Sequence, residues 1–307
     1  MSKKLVKAIS RFPGKTILGL LLIGLTMLSE KPATAGIKGT TDGKNFQPSS
    51  AALSVAESPA NLEMLHERLR KKNPGYQNQA RFTTDPVLGL IGDFSGDRVT
   101  DLSPLQGVPF GALDLRGQAV SNLKPLRGMP LKVLGLEETE VKDLNPLRGM
   151  KLEKLYLNNT AVLDLKPLAG MPLKELMLVG TKVQDLNPLR SMPLQTLWLN
   201  DTPVSDISPL AFSPLVSLTL HRTKVSDLGS LAKMTRLKRL HIGETSVRDV
   251  SPLKDLRLER LILTPANIKS GLPLVRHMKT IKEIGTTLEN RMSPELFWEL
   301  HDQGNLR

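Results

Sequence analysis

Aliphatic residues recur along this chain with a period of 21 residues, over the stretch from Val99 to Leu263. In each period two leucines stand two positions apart, as Leu155 and Leu157 do, and this is the alternation of a short β-strand with one buried face. The pairs in step with it are Leu113/Leu115, Leu134/Leu136, Leu155/Leu157, Leu176/Leu178, Leu197/Leu199, Leu218/Leu220, Leu240/Ile242 and Leu261/Leu263. A fixed period of roughly 20–50 residues is typical of a solenoid of stacked coils. The pattern therefore predicts one strand per coil, with successive strands stacked in parallel.

The other half of each period carries aspartate and proline in fixed places. Ser230 replaces proline once, and Pro252 restores it after one extra residue. The prolines are Pro104, Pro125, Pro146, Pro167, Pro188 and Pro209, and the aspartates are Asp101, Asp143, Asp164, Asp185, Asp206, Asp227 and Asp249. Aspartate ahead of proline predicts a capped single turn of 3₁₀ helix opposite the sheet, and proline stops that turn from lengthening. Asn122 fills the aspartate position of its coil, which favours capping over a ladder of cation ligands.

Two further columns, meaning residues at one position of successive repeats, have a structural interpretation. The methionines are predicted to fill the core beneath the convex turn, and the threonines to form hydrogen bonds between adjacent coils. The methionines are Met129, Met150, Met171 and Met192, and the threonines are Thr139, Thr160, Thr181, Thr202, Thr223 and Thr245. All these repeated positions are therefore interpreted as scaffold.

These residues resemble the leucine-rich repeat pattern L-x-x-L-x-L-x-x-N, with threonine in the asparagine place, and D-L-x-P-L resembles the short repeats of bacterial internalin-like proteins. The segment Pro294–Trp298 also resembles the closing segment of bacterial arrays that accompany some Ser/Thr kinase domains, although the chain has no kinase motif. The resemblance implies an α/β fold, a leucine-rich repeat solenoid. It has a parallel sheet on the concave face, short 3₁₀ or helical turns on the convex face, and helical caps at both ends. It implies little about function, because such folds host many unrelated partners.

The chain is predicted to divide into five parts. Residues 1–35 read as a signal peptide, 36–57 as a disordered linker, and 58–98 as an N-terminal cap made of a helix from Ser58-Pro59 and an irregular strand over Val87–Phe94. Residues 99–266 form an array of about eight repeats. Residues 267–307 form a last irregular repeat, carried by Ile281 and Ile284, and a C-terminal helical cap.

The N-terminal sequence predicts export. A basic segment is followed by the apolar run Ile17–Leu28 and by Ala33-Thr34-Ala35, a small-residue cleavage site. This run of 12 residues is shorter than the roughly 20 apolar residues that a membrane span needs, so cleavage is favoured over anchoring. We therefore expect a secreted, periplasmic or cell-surface protein without a stable membrane span. It has no cysteine, so stacking alone must stabilise it.

The basic charge is modest after export. The net charge of +12 falls to +7 once the six Lys/Arg and one Glu of residues 1–35 are removed. Export and this charge disfavour nucleic-acid binding.

The sequence contains no catalytic motif. There is no cysteine nucleophile, G-x-S-x-G, phosphate-binding glycine loop or H-E-x-x-H, so the chain is interpreted as a protein that is not an enzyme and has no cofactor.

Recognition is predicted at the positions that the repeat leaves free, namely the residues that flank the inward leucines and point to the concave face. Tyr156, Met177 and Trp198 are expected on three successive strands, roughly 4.8 Å apart. Aromatic residues and methionine are enriched in binding sites, although they also pack together to shield a sheet. Asn158 and Asn200 border this strip. The remaining predicted contacts are Lys154, His221, Arg239 and His241.

A basic patch, which suits an acidic partner, is formed by the last three of these residues, His221, Arg239 and His241, together with Arg222 and Arg260. A metal between His221 and His241 is disfavoured because no third ligand is evident. The preferred interpretation is a non-catalytic, exported repeat protein that binds a protein or peptide on its concave face. The alternatives are a module that binds glycans or the cell envelope, and a structural spacer without its own ligand.

Overall fold

The computed structural model describes residues 59–306, in which twelve strands form one sheet in sequential order. Strands β2 to β11 pair in parallel, and an antiparallel strand closes the sheet at each end. The strands are β1 Arg81–Asp85, β2 Gly89–Asp93, β3 Phe110–Asp114, β4 Val133–Gly135, β5 Lys154–Tyr156, β6 Glu175–Met177, β7 Thr196–Trp198, β8 Ser217–Thr219, β9 Arg239–His241, β10 Arg260–Ile262, β11 Glu283–Gly285 and β12 Arg291–Met292. The predicted leucine-rich repeat solenoid is confirmed.

Each coil returns through a short 3₁₀ turn, and α-helices cap the array. The turns are Ser103–Leu105, Lys124–Leu126, Asn145–Leu147, Lys166–Leu168, Asn187–Leu189, Ser208–Leu210, Gly229–Lys233, Ser251–Leu253 and Pro265–Asn267. The helices are α1 Pro59–Lys72, α2 Leu272–Arg276 and α3 Pro294–Asp302. The turn with Ser230 in the proline position has five residues, whereas the proline-bearing turns have three. This difference agrees with the predicted role of proline in limiting the turn.

The aspartate column bonds the first residue of each turn, in line with the predicted capping, from the position just before an aliphatic N-cap residue. In every coil from the first to the eighth, the side-chain Oδ1 of Asp or Asn accepts a hydrogen bond of 2.7–3.0 Å from the backbone N–H two residues on. Asn122 makes the same bond to Lys124 as the aspartates make in their own coils. The interaction therefore needs an acceptor oxygen and no charge.

The threonine column differs from its prediction. Each hydroxyl donates a bond of 2.6–2.7 Å to the carbonyl three residues back in its own coil, as Thr160 does to Leu157. The prediction that these hydroxyls bond between coils is wrong, because each hydroxyl lies closest to the carbonyl at the end of its own strand. Coils are instead joined by backbone bonds such as Leu157 N–H to the carbonyl of Met177, 2.9 Å.

One continuous apolar core runs the length of the array. The inward leucines are fully buried, and Leu176 and Leu178 are each 0% exposed. The methionine column is buried as predicted, at 2–6% exposure. At the C-terminal end, Ile284 and Phe297 continue this core into the last coil and α3.

The N-terminal cap is built from α1 and a β-hairpin. Leu65 and Leu69 are the buried residues of the helix. The predicted irregular strand over Val87–Phe94 corresponds to β2, and its antiparallel partner β1 lies outside that prediction. Asn73 joins the cap to the first coil, since its Oδ1 accepts from the backbone N–H of Thr100, 2.8 Å.

No helix among residues 59–306 is long and apolar enough to cross a membrane. The predicted signal peptide and linker, residues 1–35 and 36–57, lie outside the described residues.

Candidate functional site

The concave face carries three columns of side chains, whose order follows from the strand register. The middle column places Tyr156 opposite Met177 and Met177 opposite Trp198, on β5, β6 and β7. The prediction that these three residues occupy successive strands is confirmed. The complete middle column is Asp114, Gly135, Tyr156, Met177, Trp198, Thr219, His241 and Ile262.

Tyr156 is a packed residue of this face, only 2% exposed. Its ring joins a separate apolar cluster with Ile91, Ala112 and Val133, and Met177 packs against that cluster. Its hydroxyl donates to Glu175 Oε2 over 3.0 Å. Burial and the nearby carboxylate raise the pKa of the Tyr156 hydroxyl. Tyr156 therefore packs into the concave face, which is the shielding alternative left open by the sequence, because the first strands offer its ring an apolar surface.

Two other predicted contact residues are held by the scaffold. Lys154 Nζ forms an ion pair with Glu175 Oε1, 2.8 Å, on the neighbouring strand. Asn158 Oδ1 accepts a hydrogen bond from the backbone N–H of Val179, 3.0 Å. Both side chains therefore already have intramolecular partners at the positions where a ligand was expected.

The half of the concave face that follows Met177 is different. Trp198 is partly exposed, and beside it lie Asn200, Thr219 and His241 on or just after three adjacent strands. Among residues 59–306, Asn200 Oδ1, Thr219 Oγ1 and both ring nitrogens of His241 are buried without a hydrogen-bond partner. An unpaired buried polar atom costs about 1–3 kcal/mol, and four such atoms are concentrated in this part of the concave face.

The histidines of this region are stacked on one another. The ring centroids of His221 and His241 lie 4.8 Å apart, with an angle of 26° between the planes. His221 Nδ1 lies 3.0 Å from the carbonyl of Gly243, so Nδ1 must carry the proton, because a carbonyl only accepts. Burial and the neighbouring His221 lower the pKa of His241 to about 4. His241 is therefore neutral at pH 7.

The predicted basic patch contains Arg222, Arg239 and Arg260, which lie in different surroundings. Arg222 forms an ion pair with Glu244, 2.7 Å, so a neighbouring carboxylate balances its charge. Arg239 lies directly opposite Arg260 in the sheet register. Burial and the charge of Arg260 lower the pKa of Arg239. Arg239 and Arg260 are thus the two arginines of the patch that lie side by side, and Arg260 also pairs with Glu283.

A buried charged cluster occupies the first coils and was not singled out from the sequence. Asp114 is 1% exposed and accepts a 2.8 Å bond from Arg116. Glu137 is 7% exposed, and its Oε2 lies 4.0 Å from Arg116 Nε. Burial is the largest influence on Glu137 and raises its pKa to about 7. The available sequence signal was Asp114 in the middle concave column next to Arg116 and Glu137 at the following position of two successive repeats.

Other site types find little support in residues 59–306. No group of three or more His, Cys, Asp or Glu residues there is arranged to hold a metal ion. A cavity of about 320 Å³ lies between the N-terminal cap and the first coil, lined by residues such as Asn73, Asp97 and Gln118. These lining residues are outside the concave columns, so the cavity belongs to the junction of the cap.

Comparison with proteins of known structure supports the same architecture. No protein-family model matches the chain, and no curated protein matches it by sequence. An internalin, inlF, from Listeria monocytogenes is 25% identical with a TM-score of 0.55, over 61% of this chain and 64% of that chain. A leucine-rich repeat protein of Leptospira interrogans is 21% identical with a TM-score of 0.54, over 60% of this chain and 51% of that one. The chain thus spans less than two thirds of each.

The repeated sequence columns, the sequential parallel sheet with 3₁₀ turns and these structural neighbours all point the same way. The chain has the leucine-rich repeat fold, and its short repeats are similar to those of the listerial internalin.

Proposed function

We propose that this leucine-rich repeat protein is a non-catalytic, exported binding protein that holds a protein or peptide segment on its concave face, around Trp198. The single observation that carries the proposal is the set of buried, unpaired polar atoms beside this tryptophan. They belong to Asn200, Thr219 and His241. A neutral histidine offers one donor and one acceptor, threonine offers both, and the amide oxygen accepts. A peptide backbone carries both kinds of group and is a fitting partner.

The position of these atoms supports binding over a purely structural role. They lie in concave columns, which the 21-residue repeat does not dictate, whereas the repeated polar positions are paired with the backbone. Tryptophan is enriched among residues that dominate binding energy, and such residues cluster where surrounding groups exclude water. Tyr156 and Met177 then support this surface from one side, and His221 and Arg239 border it from the other.

Non-catalytic binding also agrees with the fold. The structural neighbours are an internalin and a leucine-rich repeat protein, and this fold commonly serves as an interaction module. Export rests on the N-terminal sequence of residues 1–35.

A glycan ligand is the second candidate, because an aromatic ring can stack on a sugar. The burial of Tyr156 leaves Trp198 as the accessible aromatic ring of the strip, which weakens the case for a multi-ring sugar platform. A cell-wall polymer therefore serves as one arm of the test.

The test compares Trp198→Ala with Phe212→Ala, a matched control that removes an aromatic ring 82% exposed outside the concave columns. Immobilised protein is incubated with secreted proteins of the source cells, and retained proteins are crosslinked and identified by mass spectrometry. We expect Trp198→Ala to weaken retention of a specific protein about tenfold or more, and Phe212→Ala to leave it unchanged. Equal retention by both variants would contradict the proposal. Selective retention of purified cell-wall polymer, without any protein, would favour the glycan alternative.

A further inference from the structure

The residues one or two positions before the middle of each strand form a ladder of alternating charge that is interrupted in two coils. They stack along the sheet, because the backbone N–H of each donates to the carbonyl of the one before it, as Lys174 does to Glu153 over 2.8 Å. In order they are Lys132, Glu153, Lys174, Gln195, Val216, Lys238, Glu259 and Lys282. Opposite charges on neighbouring strands stabilise a sheet. The alternation runs through three coils on each side and is absent from the two coils between them.

The first concave column is interrupted in the same two coils. It carries charged residues on β5 and β6 and again from β9 onward, whereas Thr196 and Ser217 hold its positions on β7 and β8. The middle column also has no charged residue on these two strands. The surface common to the three columns is here called the neutral window, and its residues are Gln195, Thr196, Trp198, Val216, Ser217 and Thr219.

The charges of the two ladders are paired with one another on both sides of the neutral window. The pairs are Glu153 with Lys132 and Lys174, Lys154 with Glu175, and Glu259 with Lys238 and Lys282, at 2.6–3.8 Å. Glu175, which lies opposite Thr196, also accepts a hydrogen bond from the Tyr156 hydroxyl. These charges therefore already have partners within the chain.

A second and independent feature of the neutral window is its unpaired polar atoms. Thr219 is 9% exposed, and its Oγ1 is among the buried atoms of residues 59–306 without a hydrogen-bond partner. Asn200 Oδ1, just after β7, is another. Neutral donors and acceptors satisfy a hydroxyl and an amide oxygen. A charged group brought to the same place would lose its hydration without gaining a counterion, which costs far more.

We infer that the part of the partner that crosses β7 and β8 is an uncharged polar peptide segment, and that any charged residues of the partner lie outside the neutral window. The inference rests on the proposed binding function and names the chemistry of its ligand. From β6 to β9 the sheet advances by three strand spacings of about 4.8 Å each, which is the length of about four extended residues. Backbone amides and side-chain hydroxyls of such a segment supply the partners of Thr219 and Asn200.

The probes for the experiment are peptides selected from a random dodecapeptide library displayed on phage. Selection keeps the peptides that bind the full chain but not its Trp198→Ala variant, and the affinity of each synthetic, fluorescent peptide is measured by anisotropy. Raising the NaCl concentration from about 0.05 M to about 0.5 M should change the affinity of the wild type less than about twofold, because salt screens interactions between charges and an uncharged segment makes none.

Three substitutions at Thr196 test the charge of the bound segment. Thr196→Lys continues the alternation beyond Glu175, Thr196→Glu reverses the sign of that charge, and Thr196→Gln has a similar length without a charge. An uncharged segment should bind both charged variants at least about fivefold more weakly than Thr196→Gln, because either charge loses hydration on binding. Gln184→Lys adds a charge at an exposed position outside the strands and should change the affinity less than about twofold. Circular dichroism confirms that each variant is folded.

Tighter binding to one charged variant than to Thr196→Gln would identify a segment of the opposite charge and overturn the inference. Equal affinity for the three variants, or an affinity of the wild type that falls about tenfold or more in salt, would also overturn it. In each of these cases the peptides still depend on Trp198, so the proposed function stands and the uncharged segment is wrong. If no peptide distinguishes the wild type from Trp198→Ala, the proposed function itself fails and the inference falls with it.

Discussion

The polar residues of the repeated columns and those of the concave face differ in whether their side chains have hydrogen-bond partners within the solenoid. In the repeated columns each aspartate caps a turn and each threonine hydroxyl bonds its own coil, as Asp206 and Thr202 do. On the concave face, buried polar atoms accumulate without partners. All six such atoms among residues 59–306 lie in concave columns, in Arg116, Glu137, Asn200, Thr219 and His241. The repeated columns therefore stabilise the coils, and the concave columns carry groups whose partners are incomplete.

Acidic groups show the contrast in their titration. A backbone N–H that donates to Asp206 lowers the pKa of that carboxyl, because the hydrogen bond stabilises the charged form. Burial raises the pKa of Glu137 to about 7, because the charged form loses its hydration. The two carboxyls thus differ in the direction in which the pKa shifts and in the cause of that shift.

The largest expected difference between inward and concave positions lies within one strand. Leu176→Ala removes a fully buried leucine from the core and should lower the free energy of unfolding by about 2–5 kcal/mol. Met177→Ala, at the next residue on the partly exposed concave face, should lower it by less than about 1.5 kcal/mol. Urea unfolding followed by circular dichroism measures both. Similar losses would mean that the concave residue belongs to the core, and the distinction between the two faces would fail.

A smaller effect is expected from the buried acid of the concave face. Glu137→Gln removes a carboxylate whose pKa is raised to about 7 by burial. Between the ordinary pKa and this value the folded state binds more protons than the unfolded state, so wild-type stability decreases as the pH rises through that range. At pH 8 the variant should exceed the wild type by about 3 kcal/mol, since the pKa is raised from 4.5 to about 7 with the attraction of Arg116 already included, and one pKa unit corresponds to about 1.4 kcal/mol.

Urea unfolding at pH 4.5 and pH 8 tests this expectation, and the advantage of Glu137→Gln should disappear at the lower pH. Glu140→Gln is the control, because it removes an exposed carboxylate from the same coil. A variant that is less stable than the wild type at pH 8 would show that the ion pair with Arg116 outweighs the cost of burial.

The repeated columns could be predicted from the sequence because each is an average over many coils. A single residue such as Asn122 then distinguishes capping from cation binding, and the period gives the strand register directly. The threonine bonds could not be predicted as reliably, because spacing alone does not say whether a hydroxyl reaches its own coil or the next. The hairpin strand β1 lies outside the period and had no such signal.

The concave face could be predicted only in part, because alternation gives the direction of a side chain but not what lies beside it. Tyr156 points as expected, yet Ile91 and Val133 provide apolar neighbours that bury it. Another feature was missed altogether. Seven residues just after the strands have positive φ, which turns the chain away from the concave face: Gly117, Glu138, Asn159, Gly180, Asp201, Arg222 and Glu244. Because several are ordinary residues, composition gives no sign that this position needs a left-handed backbone.

The smallest effect is expected at a capping aspartate. Asp206→Ala removes the acceptor of a 2.8 Å bond from the backbone N–H of Ser208 and should lower the free energy of unfolding at pH 7 by about 0.5–1 kcal/mol. Asp206→Asn is the matched control and should be nearly neutral, since Asn122 makes the same bond in its own coil. The pKa of Asp206 is lowered in the folded state, so its contribution is present above the unfolded pKa and is lost as the pH falls through the folded value. The difference between wild type and Asp206→Ala should therefore shrink below about pH 4 in urea unfolding. Lowering the pH also removes the stability difference between Glu137→Gln and wild type, but in that pair the variant is the more stable protein at high pH. The two series together therefore distinguish a carboxylate stabilised by a hydrogen bond from one destabilised by burial. If the difference in free energy of unfolding between wild type and Asp206→Ala increased in acid, the contrast between Asp206 and Glu137 would fail.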